Sequence, residues 1–327
     1  ALLGIIVAAP VALWLMKPSD APDPEIVYPV ESQTSWSAHG PVSTGDPTVS
    51  PAPTPTSRSK MPDGEVQFKN LREQLARELD DPLAAALFGL GDDKSFAGVS
   101  AAAERMFDRG GEADAEALFR YLETPLTAAL DEQEWQAMQR RIVDYLVMEW
   151  PQHERAQDHL LALFENPQTQ PSVRSAVARR LDKLYQRSAA PEVITEALWS
   201  SAAVPGDDIA SASLVALARI NAKSDGVDTA RLRDTATEIA SDGRSSVMTK
   251  VTAMEIATWL GSPRIYTQAK HVIKEDNMPT MLQLAAIATI MKSGDASNID
   301  ALEELAENRP YPVNKAAAEA IKRLNGG

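Results

Sequence analysis

His153-Glu154 followed by Asp158-His159 is the one cluster in this chain whose residue types suit a metal ion. A zinc site on a helix asks for two histidines four positions apart on one face. Here they are six apart, which turns the second about 120° from the first. The plainer reading is a polar outer face, and no metal ligand is assigned. Ser57-Arg58-Ser59-Lys60 has the order of a serine/lysine hydrolase motif. That chemistry needs the serine at the start of a buried helix, where the lysine is desolvated, and these residues lie in a proline-rich stretch. Gly89 and Gly91 lack the third glycine and the preceding strand of a dinucleotide cradle, and read instead as a helix stop. Asp80-Asp81, Asp92-Asp93 and Asp207-Asp208 stand just before helical patterns, where carboxylates cap free N–H groups and suit the helix dipole. No catalytic, cofactor-binding or metal-binding residue is expected, and the chain reads as not being an enzyme.

Composition narrows the classes further. The 327 residues include no cysteine, which removes disulfides, thiolate metal sites, cysteine nucleophiles, covalent haem attachment and a bacterial lipoprotein anchor together. Four scattered histidines are too few for a histidine-based metal centre. Lys and Arg number 32 against 46 Asp and Glu, a formal charge of -14 that repels phosphate backbones and argues against a nucleic-acid partner. The chain is 44% hydrophobic but only 6% aromatic, which favours close-packed helices with small side chains over strands.

The elements that organise these residues follow a repeating apolar pattern. Trp135, Met138, Val143 and Leu146 set a spacing that returns as Val173, Ala176, Leu181, Leu184, then Ile209, Ala212, Leu217, Ile220, then Met248, Val251, Ile256, Trp259. It weakens at Leu282, Ile287, Ile290, where Pro279 takes the first place, and closes with Val313, Ala316, Ile321, Leu324. Successive starts lie 38, 36, 39, 31 and 34 residues apart, the period of a stacked two-helix repeat. A shorter helix links each of these rhythm helices to the next. The sequence therefore predicts an all-α fold, an α-solenoid of stacked two-helix repeats over 131–327.

What precedes the array is of a different kind. Residues 1–16, ALLGIIVAAPVALWLM, are uncharged and end at Lys17. As a helix they span about 24 Å, a little under the hydrocarbon core of about 30 Å. A single transmembrane anchor is the preferred reading, built on Leu2, Leu3, Ile5, Ile6, Val7, Leu13, Trp14 and Leu15, with Trp14 and Lys17 at one interface. A secretory signal region and a buried core helix are the other readings. Residues 17–63 form a linker in which ten prolines fall between Lys17 and Pro62, a semi-rigid spacer that cannot bury a core. It is a passive tether or, given Ile26, Val27, Tyr28, Val30 and Trp36, a strap that lies along a partner. Residues 64–130 are helical but irregular, and are expected to be a divergent first repeat or a cap, with Glu104 breaking the apolar offset.

Pro171-Ser172-Val173-Arg174-Ser175-Ala176 and Pro312-Val313-Asn314-Lys315-Ala316-Ala317 resemble the start of the second helix in HEAT repeats, and the resemblance covers roughly residues 131–325. It implies a HEAT-like, armadillo-type superhelical scaffold with a concave protein-binding surface and, as a rule, no catalysis. Helix 171–187 concentrates Arg174, Arg179, Arg180, Lys183 and Arg187 against one Asp182. That is either an ordinary solvated face or a basic patch that would steer an acidic protein surface or anionic lipid headgroups. Together with Tyr28 and Trp36, these residues are the expected partner contacts. The leading expectation is a non-catalytic, single-pass membrane scaffold whose bulk is periplasmic. It would be an accessory or assembly subunit binding proteins of a membrane complex, respiratory or photosynthetic. A tethered periplasmic adaptor or receptor for soluble proteins or peptides is the second class, and an enzyme with an unfamiliar site the third. No cofactor and no small-molecule substrate are expected.

Overall fold

The computed structural model describes residues 74, 78–124, 131–148, 156–204, 208–275 and 277–326. Every regular element among them is helical. An irregular start holds α1 (Pro82–Leu87), α2 (Phe96–Arg109) and α3 (Glu112–Glu123). The array continues with α4 (Glu132–Met148), α5 (Ala156–Glu165), α6 (Pro171–Ala178), α7 (Leu181–Tyr185), α8 (Pro191–Ala202) and α9 (Asp208–Lys223). It closes with α10 (Thr229–Ser241), α11 (Val247–Trp259), α12 (Pro263–Lys274), α13 (Thr280–Ser293), α14 (Ile299–Asn308) and α15 (Val313–Gly326).

Local chemistry explains many of these boundaries. Asp81 caps α1, accepting from the Leu83 N–H at 2.8 Å, and Ser246 caps α11, accepting from the Thr249 N–H at 3.2 Å. Asp228 opens α10 by accepting from the N–H groups of Ala230 and Arg231. Pro171, Pro191 and Pro263 stand at the first position of α6, α8 and α12, where the missing N–H costs nothing. Gly110 and Gly294 end α2 and α13 with φ of 59° and 68°, a left-handed turn that a side chain would resist.

From α4 onward the helices alternate between two rows. The first row is α5, α8, α10, α12 and α14. The second row is α4, α6 with α7, α9, α11, α13 and α15. Each second-row helix packs on its row neighbours, and from α6 onward also on the first-row helix before it. The result is one continuous core running from Ala84 to Ala320, compatible with a helical repeat. Most of the rhythm residues lie in that core, from Trp135 and Met138 through Leu217 and Ile220 to Ile287 and Ile290. Within the described residues no helix follows α15, and Ala316, Ile321 and Leu324 are accordingly only half-buried.

Two departures from the sequence reading have local causes. The helix expected over 171–187 is divided between α6 and α7, because at the junction the Arg180 N–H bonds three residues back to the Val177 carbonyl at 2.8 Å, which tightens the turn. Glu104 does not break the packing of α2. It stands half-buried at the edge of the core and pairs with Arg141 of α4. Before the array, Arg109 at the end of α2 joins Asp81, the cap of α1, to Asp114 in the first turn of α3. Its hydrogen bond and that of the Leu83 N–H hold the Asp81 carboxyl below the usual carboxylate range.

The expectation of a single-pass membrane protein with a periplasmic bulk is not supported. Among the described residues no helix is long and apolar enough to cross a membrane. The longest, α4, has 17 residues and carries Glu132, Arg140 and Arg141 on its exposed side, whereas a span needs about 20 mostly apolar residues. Leu2, Leu3, Ile5, Ile6, Val7, Leu13, Trp14 and Leu15, on which the transmembrane anchor of the predicted fold rested, lie outside the described residues, as does the linker at 17–63.

Leu217, fully buried in α9, tests the stack. Leu217→Ala should lower the unfolding free energy by about 2–5 kcal/mol in urea denaturation. Amide exchange should quicken in α6 and α11 as well as in α9, because the interfaces are shared. Exchange that quickens in α9 alone would contradict the stacked arrangement.

Candidate protein-docking surface

Side chains that cross from α4 back to α2, and between successive second-row helices, tie the first half of the array together. Arg141 donates to the Ser100 hydroxyl at 2.9 Å while pairing with Glu104, and the Tyr145 hydroxyl donates to the Phe107 carbonyl at 2.8 Å with the two rings stacked. Arg180 meets the Asp144 carboxylate through two nitrogens, one at 2.8 Å. Arg187 donates to the carbonyls of Val147 at 3.1 Å and Met148 at 3.3 Å, at the end of α4. Arg219 of α9 donates to the Arg179 carbonyl at 3.1 Å. The fully buried carboxylate of Asp182 has no hydrogen-bond partner and is flanked by Arg219 Nη1 at 3.9 Å and Lys223 Nζ at 3.6 Å.

This arrangement places the five basic residues of 171–187. Arg174 donates to the Phe164 carbonyl at 2.8 Å, linking α6 to α5, while Arg180 and Arg187 reach back to α4. Arg179 is exposed and Lys183 half-buried. Three of the five guanidinium and ammonium groups are thus directed into neighbouring helices. Tyr28 and Trp36 lie outside the described residues, as do His153 and the motif Ser57-Arg58-Ser59-Lys60. His159 accepts or donates at 2.8 Å to Glu123 and rests against the Phe119 ring, which makes it a link from α5 to α3.

Beyond α9 the row changes character. Its neighbours α11 and α13 meet through a buried hydroxyl pair, Thr258 and Thr289 at 2.8 Å. Large apolar side chains stand in water at the starts of successive second-row helices. Val204 precedes α9, Val247 and Met248 open α11, Met281 opens α13 and Tyr311 precedes α15. Met248 is 56% and Tyr311 60% exposed. Because these helices stack in register, the residues share one edge of the array. Isolated exposed apolar residues need no explanation, but a row of them along one edge marks an interaction surface.

The open face of α11 continues from that edge. Met248, Thr252, Glu255 and Trp259 fall at i, i+4, i+7 and i+11, one stripe of the helix, while Ala253 and Ala257 lie on the opposite, buried face. The same offsets in α13 give Met281, Ala285, Ala288 and Lys292, of which Ala285 is buried, and on α9 Ser211, Val215 and Ala222 are at least partly exposed. Met248 stands exposed at one end of the α11 stripe, and Trp259 at the other is half-buried and packs against the core. Glu255 is half-buried there, and burial pushes its carboxyl up to about 7. It makes no hydrogen bond or ion pair among the described residues.

Periodicity assigned Met248 and Trp259 to the core, yet Met248 is exposed, while Trp259 is half-buried and packs against the core. Sequence reasoning passed over Glu255 entirely. A signal was present: three of the four stripe positions on α11 are larger than their counterparts on α13, and one carries a charge between rhythm residues.

No protein-family model matches this chain, and no curated protein matches it. Among solved structures it is similar to human deoxyhypusine hydroxylase in complex with glycerol, with 11% identity, 81% of this chain and 100% of that chain covered, and a TM-score of 0.31. That neighbour is an enzyme. The expectation that this chain is not an enzyme is withdrawn, because motifs missing from a sequence exclude no chemistry. A likeness of that degree transfers neither an activity nor a residue to this chain. Among the described residues no group of three or more His, Cys, Asp or Glu is placed to hold a metal ion.

The raised Glu255 carboxyl has a defined consequence for stability. From its ordinary value of 4.5 up to about 7 the folded chain holds a proton that the unfolded chain has lost, so stability falls as pH rises through this window. Glu255→Gln should therefore stabilise the fold at pH 8 by about 1–2 kcal/mol, after discounting for partial solvent access. The gain should vanish near pH 4.5, as read from urea denaturation at the two pH values. An equal gain at both would show that the carboxyl is not desolvated.

Proposed function

We propose that this chain is a HEAT-like helical-repeat scaffold, an accessory protein that docks another protein along the open edge of its second row. One observation carries the reading: Val204, Val247, Met248, Met281 and Tyr311 recur in solvent at the starts of four successive second-row helices. A hydrophobic edge of this sort costs solubility unless something covers it. The -14 charge of the whole chain keeps such a surface from self-association and favours a partner of complementary charge. The HEAT-like assignment is supported by the two-row packing and by a period of 31 to 39 residues in the rhythm helices.

The test is site-specific photocrosslinking in the native host, with a benzophenone amino acid at Met248 or Met281, and at the exposed Glu238 of first-row α10 as a control. One and the same protein should be captured from both edge positions and not from the control. Met248→Glu with Met281→Glu should abolish that capture while shifting the unfolding free energy by no more than about 1 kcal/mol, since both side chains are substantially exposed. Equal capture from all three positions would remove the edge as a docking surface.

A further inference from the structure

We infer that Glu255 and Trp259, one turn apart on the same stripe of α11, form a receptor for one arginine or lysine side chain of the docked protein. This inference rests on the docking edge and names the chemistry of what docks there. Glu255 is a half-buried carboxylate in a chain that pairs many of its other partly buried charges. Asp114 has Arg109, Asp144 has Arg180, and buried Asp182 has Arg219 and Lys223. Glu255 is left without a hydrogen bond or counter-ion among the described residues. A carboxylate withdrawn from water gains most from a cation that arrives with its own desolvated partner surface.

The surroundings favour that cation coming from outside. The basic groups of the flanking second-row helices do not pair with it among the described residues: Arg219 and Lys223 on α9 stand beside Asp182, and no ion pair joins Lys292 of α13 to Glu255. Trp259 stands one turn further along the same stripe, half-buried, and its ring can carry the flat face of a guanidinium or the stem of a lysine. The chain already makes this pairing elsewhere: the Arg231 guanidinium lies 4.2 Å from the centre of the Trp199 ring. The exposed Met248 and Met281 then suit apolar residues beside the basic one, because methionine adapts its shape to varied neighbours.

The experiment is a selection from a randomised twelve-residue peptide library displayed on phage, carried out on the full chain, on Glu255→Gln and on Met248→Glu/Met281→Glu. The full chain should enrich peptides with one arginine or lysine beside apolar residues. The best of them, as a synthetic peptide, should bind Glu255→Gln at least about ten-fold more weakly, and its arginine-to-citrulline form should lose a similar factor on the full chain but little more on the variant. An unchanged far-ultraviolet spectrum and melting curve for Glu255→Gln near pH 4.5 certifies its fold. Peptides that need Met248 and Met281 but carry no basic residue, or that bind Glu255→Gln as well as the full chain, would overturn the receptor and leave the docking edge standing. Enrichment of nothing, or of peptides indifferent to all three substitutions, would overturn both.

Discussion

The structure depends on the inability of two short helices to bury a core by themselves. Each second-row helix has a narrow exposed stripe, and the rest of its circumference must be covered by the helix paired with it and by its neighbours in the row. Leu217 in α9 and Ile256 in α11 are fully buried only because α6, α9, α11 and α13 stack in order. Alanines make the close approach possible: Ala216, Ala218, Ala253, Ala257 and Ala286 are all buried between helices. The low aromatic content of the sequence is the same fact seen from composition.

How the row is held differs along its length. From α2 to α9, arginine side chains reach across to the preceding helix and meet carboxylates or the free carbonyls at a helix end. From α9 onward, packing and a single buried hydroxyl pair carry the described contacts between α11 and α13. The open edge with its methionines belongs to this second stretch. A surface already stitched by charge pairs has little to offer a partner, since its groups are satisfied. The unstitched stretch keeps both apolar area and an unpaired carboxylate in reserve.

Much of this was legible in the residues. The spacing from Trp135 to Leu146 and its returns marked the helices that form the second row, and Pro171, Pro191 and Pro263 marked helix starts. The periodic argument failed where helix phase, set by a capping residue, decided the matter. Ser246 caps α11 so that the helix begins with Val247, and Met248 in its first turn stands exposed although its position is buried elsewhere. The candidate basic patch on 171–187 was visible as composition, but which guanidinium reaches which carbonyl depends on the tight turn at Arg179-Arg180 and on the helix lying beside it. Glu255 could not be singled out in advance, because its character comes from burial in the folded stack.

The buried carboxylate of Asp182 makes this array less modular than its period suggests. Its counter-ions, Arg219 and Lys223, are supplied by the following second-row helix. A duplication, deletion or shuffling of repeats at that boundary would preserve the spacing of the helices yet strand a charge inside the molecule. The repeats on either side of Asp182 are therefore bound to inherit and change together, as one unit under selection.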